Sequence, residues 1–201
     1  MVLVAVTKGA PPETVEALAA LGVRDVGESR VQEAERKAPR VTGDVRWHLV
    51  GHLQRNKARK AASLFGTIHS VDSADLVRAL AAAGRPLDLF LQVNVSGEAA
   101  KSGVAPEGAA ALLAAAASAP PLRVAGLMTM APEADDPEAA RPHFRTLRAL
   151  RDDLDRAGIA PPLRGLSMGM SADFEVAVEE GATHVRVGTA VVGRHGLQWR
   201  G

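Results

Sequence analysis

Short apolar runs of β type alternate with longer segments of helical period from one end of the chain to the other, and this alternation limits the possible folds more than any single motif. It argues for parallel strands joined by helical crossovers. The strand candidates are Val2 to Val6, Arg24 to Gly27, Arg46 to Val50, Thr67 to Val71, Leu87 to Val95, Arg123 to Met128, Leu163 to Ser167 and His184 to Val187. Between them lie helix candidates near Pro12 to Leu21, Arg30 to Lys37, Asn56 to Leu64, Ser73 to Ala83, Pro106 to Ala117, Pro137 to Ala157 and Ser171 to Glu180. Pro12, Pro106 and Pro137 fall in first turns, and Ser73 and Ser171 are N-cap candidates. Eight strands with intervening helices can close into a barrel, whereas an open doubly wound sheet more often has five or six strands and a glycine-rich nucleotide turn. No G-x-G-x-x-G follows the first strand. The expectation is an α/β fold, a single parallel (β/α)8 barrel of the TIM type. It begins on a strand without a preceding helix and leaves only Gly188 to Val192 for a last helical turn. No linker or long-period repeat divides the sequence, so residues 1–201 are expected to form one domain.

Composition narrows the partners. At 201 residues and 47% hydrophobic, the chain suits one sizeable core. Lys+Arg 24 against Asp+Glu 23 leaves a formal charge of +1, so no strong field draws the protein to nucleic acid or an anionic membrane. Cysteine is absent, which excludes disulfides, thiolate nucleophiles and cysteine-ligated zinc. The apolar start, Met1 to Val6, is too short for a signal peptide, and the weakly polar stretch Ala109 to Ala119 falls well below the roughly twenty residues that span a bilayer. The expectation is a cytoplasmic, monomeric protein with a small-molecule partner.

In such barrels the working residues sit at the C-terminal ends of the strands and on the loops that follow. Lys8 is placed there, and a lysine beside an apolar strand and barrel mouth can be partly desolvated, which makes a neutral amine available for attack on an aldehyde. From position alone a solvated lysine is the simpler reading. The other end of the chain adds weight, because Leu166-Ser-Met-Gly-Met-Ser171 and Val185-Arg-Val-Gly-Thr189 are both small-residue turns that open a helix. Loops after strands seven and eight of such barrels commonly form a phosphate site from exposed backbone N–H groups. Gly169 and Gly188 would allow close approach, Ser171 and Thr189 can add hydroxyl donors, and Met168 lies in the same loop. Closure would set strand eight beside strand one. An aldehyde-reactive lysine next to a phosphate site suggests a phosphorylated aldehyde or ketone.

The stretches Leu3-Val-Ala-Val-Thr-Lys8, Gly27-Glu-Ser-Arg-Val-Gln-Glu33, Trp47-His-Leu-Val-Gly51 with Leu53-Gln-Arg-Asn-Lys57, and His69-Ser-Val-Asp72 resemble the pyridoxal phosphate homeostasis protein family. So do Gln92-Val-Asn-Val-Ser96 with Lys101-Ser-Gly103, Gly126-Leu-Met-Thr-Met130, and Leu166 through Gly193. The resemblance spans nearly the whole chain in order. It implies a fold like the N-terminal barrel domain of alanine racemase, with Lys8 carrying pyridoxal 5'-phosphate as an aldimine and Ser171, Gly188 and Thr189 holding its phosphate. It also implies that Arg186, two residues before the phosphate-binding glycine, faces the pyridine nitrogen. An arginine donates to that nitrogen without readily protonating it, which leaves the ring a weak electron sink. The implied role is intracellular vitamin B6 homeostasis, buffering or delivering the cofactor to apo enzymes, without dedicated catalysis. The chain departs from the family in three places. It lacks the usual extra N-terminal helix, Ser29 replaces an asparagine, and Ala10 replaces a second lysine.

Other constellations are weaker. His48 and His52 lack the glutamate spacing of a zinc protease, and His69 and His184 are expected to satisfy hydrogen bonds at the barrel ends, so no metal is expected. The basic run Arg55, Lys57, Arg59 and Lys60 reads as a solvated helix start, with Lys57 and Lys101 as candidates for secondary cofactor contacts. Met128, Met130, Met168 and Met170 either wall the ring or fill the upper core. The competing functions are an amino-acid racemase of the same barrel type and a Schiff-base aldolase acting on a phosphorylated sugar.

Overall fold

The structure, a computed structural model, describes residues 1–98 and 101–193. Eight parallel strands close into a barrel in chain order. They are β1 (Val2–Val6), β2 (Asp25–Glu28), β3 (Arg46–Leu49), β4 (Thr67–Val71), β5 (Leu87–Gln92), β6 (Leu122–Met128), β7 (Gly165–Ser167) and β8 (His184–Val187). The helices are α1 (Pro12–Ala20), α2 (Val31–Lys37), α3 (Ala58–Leu64), α4 (Ala74–Ala81), α5 (Ala109–Ala117), α6 (Arg141–Ala157), α7 (Phe174–Glu179) and α8 (Thr189–Val192). The expected barrel is therefore present. Closure is made by β1 and β8, in register Val2 with His184, Val4 with Arg186 and Ala5 with Val187. Val4 also pairs with Asp25 and Val6 with Gly27 across to β2.

Differences from the sequence expectation lie at element ends. Pro106 and Pro137 open 3-10 turns ahead of α5 and α6, because proline fixes φ and the tighter i to i+3 bonds close the first turn. Strand β5 stops at Gln92 instead of Val95. Past it the chain doubles back, with the Asn94 N–H donating to Val104 O at 2.9 Å and the Val104 N–H to Gln92 O at 2.9 Å. Ser73 caps α4, its hydroxyl accepting from the Leu76 N–H. Ser171 does not cap α7. The helix begins three residues later at Phe174, and Asp173 holds the preceding turn by accepting from the Met170 N–H at 2.6 Å.

Two different environments fill the barrel. Outside the strands, Leu49, Ile68, Leu89, Leu91, Leu127, Leu166 and Val185 pack against buried helix residues such as Val77, Leu80, Leu113, Phe144 and Leu147 in one apolar layer. Within the barrel, aliphatic filling gives way to rings and polar groups. His69 stacks on Phe90 with centroids 4.6 Å apart, and Phe90 meets His184 edge-on at 4.8 Å. His48, His69, Ser167 and Arg186 are all buried. The expectation that His69 sits at a barrel end is corrected: its position on β4 points it inward, where it has no exposed surface. Gly126 and Gly165 let β6 and β7 approach here, since a Cβ on Gly126 would lie 2.0 Å from Gly165 O and one on Gly165 would meet the Phe90 ring at 2.5 Å.

Burial holds His69 and His184 neutral. His69 is pushed well below the ordinary histidine range, and His184 is lowered to about 4, by desolvation first and then by the nearby His48. The unfolded chain takes up those protons near pH 6.5 while the folded one resists, so stability present above that pH is lost as pH falls towards 4. Denaturant midpoints should therefore drop between pH 7 and 4.5, and less steeply in His184→Gln than in the parent; equal slopes would contradict the assignment. Gly126→Ala should cost about 3 kcal/mol or more, because the added methyl meets backbone. Gly66→Ala, which meets nothing within 4 Å, should stay within about 0.5 kcal/mol of the parent in the same unfolding assay.

Candidate functional site

A cavity of about 710 Å³ opens at the C-terminal ends of the strands. That volume suits a small organic ligand. Lys8, Ser171, Arg186, Gly188 and Thr189 all line it, so the residues picked from the two ends of the sequence meet in one place. The β1–β8 pairing brings this about, since Gly188 follows β8 directly and Lys8 leaves β1 on the adjacent strand.

Lys8 is exposed at the mouth, not partly desolvated as its position by an apolar strand suggested. Its backbone, by contrast, is tightly held. The Thr7 hydroxyl donates to Glu28 Oε1 at 2.7 Å, and Lys37 Nζ donates to both Thr7 O at 2.6 Å and Glu28 Oε1 at 2.7 Å. On the other side the Gly9 N–H donates to Glu33 Oε2 at 3.0 Å, with Gly9 at φ 72°, which a side chain would strain. Burial pushes the Glu28 carboxyl up to about 7, against the pull of Lys37 and Thr7. Glu33 is also partly buried, yet the Gly9 N–H, Glu28 and Lys37 hold its carboxyl below the usual range. The residues before and after Lys8 are thus fastened to β2 and α2, while its amine stays free over the cavity.

Across the cavity, Ser171 Oγ accepts from the Gly188 N–H at 3.3 Å and the Ala190 N–H at 3.4 Å. Two backbone donors, a serine hydroxyl and the Thr189 side chain therefore converge at the start of α8. This is a donor set suited to an anion. Met168 and Gly169 do not line the cavity. Met168 is fully buried, and Gly169, at φ 92°, fits against Ala177, whose Cβ an added methyl would meet at 2.5 Å. The Gly169 carbonyl accepts from the Arg186 N–H at 2.9 Å, so this turn sets the path of β8. The methionines divide in the same way, Met130 and Met170 lining the cavity and Met128 lying in the core with Met168.

Arg186 is 4% exposed. Its guanidinium donates to Ser167 Oγ at 2.7 Å and to Thr129 O at 2.9 Å. These bonds leave other N–H groups for a partner in the cavity. Burial lowers its pKa to about 10, partly offset by Asp173, so it stays charged at neutral pH. Ser29 lines the cavity and Ala10 is buried. Neither Lys57 nor Lys101 reaches the lining. Lys101 pairs with Glu98 at 3.4 Å, and in the basic run Arg55 pairs with Asp75 at 3.6 Å and Lys60 with Glu35. Sequence reasoning missed the clamp of Glu28, Glu33 and Lys37. Glu28 and Glu33 stand inside a quoted motif, but only the fold shows that they face Lys8's neighbours.

Comparison with known proteins identifies the family. The family described as alanine racemase, N-terminal domain, matches residues 2–195. The pyridoxal phosphate homeostasis protein of Aquifex aeolicus (strain VF5) is 42% identical over 197 residues, covering 95% of this chain and 86% of the relative. That of Pseudomonas aeruginosa is 43% identical over 196 residues, covering 95% and 83%. PipY of Synechococcus elongatus PCC7942, solved with PLP bound, superposes with a TM-score of 0.87 at 38% identity, over 95% of this chain and 92% of PipY. Alanine racemase of Clostridium difficile 630, at 14% identity and TM-score 0.77, shares the fold over 95% of this chain and 52% of its own. The chain belongs to the pyridoxal phosphate homeostasis protein family, on the alanine racemase N-terminal barrel.

Proposed function

We propose that this protein binds pyridoxal 5'-phosphate in the upper cavity and acts in the cytoplasm as a monomeric, non-catalytic holder and donor of the cofactor. The observation that carries this reading is the meeting of Lys8, Arg186, Ser171, Gly188 and Thr189 around one cavity. The names of the relatives from Aquifex and Pseudomonas and the PLP-bound PipY support the choice of cofactor. The residues also fit the group chemically: an accessible primary amine for an aldehyde, converging N–H and O–H donors for a phosphate, and a buried guanidinium for a ring nitrogen.

When bound, pyridoxal 5'-phosphate supplies an aldehyde that condenses with amines and a ring that can accept electron density. Lys8 would hold the aldehyde carbon covalently, with its main chain kept in place by the Thr7, Glu28, Lys37 and Glu33 contacts. Ser171 would turn its hydroxyl towards the phosphate and release the Gly188 and Ala190 N–H groups to it. Arg186, with no lone pair to accept and a proton it keeps at neutral pH, would donate to the ring nitrogen and leave it unprotonated. That arrangement disfavours carbanion chemistry. Racemisation on this barrel also needs a second base, a tyrosine opposite the lysine, and the sequence contains none. Retention and release are the tasks left to such a site.

Borohydride reduction of the loaded protein, followed by peptide mapping, should fix the cofactor on Lys8, and labelling mainly at Lys57 or Lys101 would overturn the assignment. The loaded protein should also restore activity to an apo aminotransferase while showing no enzyme-like racemisation of alanine in a chiral assay. Robust turnover that disappears in Lys8→Ala would replace the carrier with a racemase, and no transfer to excess acceptor would remove delivery from the function.

A further inference from the structure

A row of side-chain hydrogen bonds crosses the barrel interior from one end to the other. Arg186 Nη1 donates to Ser167 Oγ at 2.7 Å, and Ser167 Oγ lies 2.8 Å from His69 Nδ1. His69 Nε2 lies 2.9 Å from His48 Nδ1, and His48 Nε2 lies 2.9 Å from Asp25 Oδ1. Arg186 lines the upper cavity, whereas Asp25 and His48 line a second cavity of about 580 Å³ at the opposite end. Ser167 and His69 have no exposed surface, so bulk solvent reaches neither.

The chemistry of the two ends sets the direction of the row. A guanidinium has donors and no acceptor, so Ser167 Oγ accepts from Arg186. The serine has one hydrogen to give, and among the described residues His69 Nδ1 is the acceptor within its reach. His69 therefore carries its proton on Nε2 and donates it to His48 Nδ1. His48 in turn carries its proton on Nε2 and donates to the Asp25 carboxylate. Asp25 is held below the usual carboxylate range, despite its burial, by His48 and by Arg46, whose Nη2 donates to Oδ2 at 2.9 Å. Reversing the imidazoles would leave the buried serine hydrogen without its acceptor, at a cost of about 1–3 kcal/mol. The desolvation that keeps His69 neutral agrees with the same direction.

We infer that Asp25 is a positioning residue for Arg186: through His48, His69 and Ser167 its carboxylate fixes the orientation in which the guanidinium faces the upper cavity. The inference rests on the proposed function for what Arg186 meets there, and on the hydrogen-bond geometry alone for how Arg186 is held. With Thr129 O as the second anchor, the row fixes the guanidinium plane at two points. Among the described residues the Asp25 carboxylate bonds to Arg46 and His48 and to no residue lining the upper cavity, so its side-chain route to that cavity is the row.

Long-range ¹H–¹⁵N correlation spectra of the protein without cofactor should place the proton of both His48 and His69 on Nε2. Finding either imidazole protonated on Nδ1 would overturn the inference. Asp25→Asn keeps the size and removes the charge, and Ser167→Ala removes the link next to Arg186. In both, the Arg186 Nη–H signals, resolved in the parent by slow rotation of the anchored group, should broaden. The absorption maximum of bound pyridoxal 5'-phosphate should move in the same direction in both. Cofactor dissociation should quicken about tenfold in Ser167→Ala, which is one hydrogen bond to a charged group, and less in Asp25→Asn. If Asp25 only supports packing, Asp25→Asn will shift the unfolding midpoint and leave the Arg186 signals and the spectrum unmoved, which would overturn the inference. Should Asp25→Asn fail to fold, the tautomers of the parent and the Ser167→Ala signals decide. A parent protein that takes up no cofactor would sink the proposed function, and the cofactor-free spectra would still decide this inference.

Discussion

Everything that the upper cavity can do depends on one pairing, that of β1 with β8. The two strands lie at opposite ends of the sequence, yet their register sets Val4 beside Arg186 and Ala5 beside Val187. Closure removes two unpaired sheet edges and in the same step brings an amine near one end of the chain to the donors near the other. The order of the strands is otherwise the simplest available, each one beside its neighbour in sequence. Long-range organisation is thus concentrated at the seam, and the seam is where the amine and the anion donors meet.

The second constraint is a buried cation. A guanidinium at 4% exposure is costly unless its N–H groups find acceptors. The barrel supplies Ser167 and Thr129 O, and the need for acceptors then spreads inward: the serine needs His69, His69 needs His48, and His48 needs Asp25. This explains why the interior departs from the branched aliphatic filling common in such barrels. Most of the buried aliphatic residues are instead placed outside the strands, between sheet and helices, where no polar group has to be satisfied. A parallel clamp of Glu28, Lys37 and Thr7 serves the lysine's main chain from the neighbouring strand and helix.

Much of this was legible in the chain. The eight apolar runs locate all eight strands, since parallel strands buried on both faces leave little room for other readings. Lys8, Ser171, Gly188 and Thr189 could be named because they stand at strand ends or on the loops that follow, a place that alternation of strand and helix marks directly, whereas Arg186 could be named through the resemblance to the family. What was hidden depends on direction, not position. His69 reads equally well as a barrel-end or an inward residue until the face of β4 is known. Lys37 reads as the last turn of a solvated helix until that helix packs over β2. Ser171 carries the serine signature of a cap, but its hydroxyl serves α8 instead of α7, a choice made by tertiary contact.

The row from Arg186 to Asp25 looks like a wire joining two solvent-facing ends, and its fixed polarity makes it the reverse. A chain that conducts protons must turn every link around after each passage before it can pass another. Here the first link is a guanidinium without a lone pair and the last is an ionised carboxylate without a hydrogen, so the turned state has no stable form. The barrel interior is hydrogen-bonded along its length and still passes no proton from one cavity to the other. A proton taken up at the lower opening would stay there, and protons would reach the upper one through solvent around the molecule.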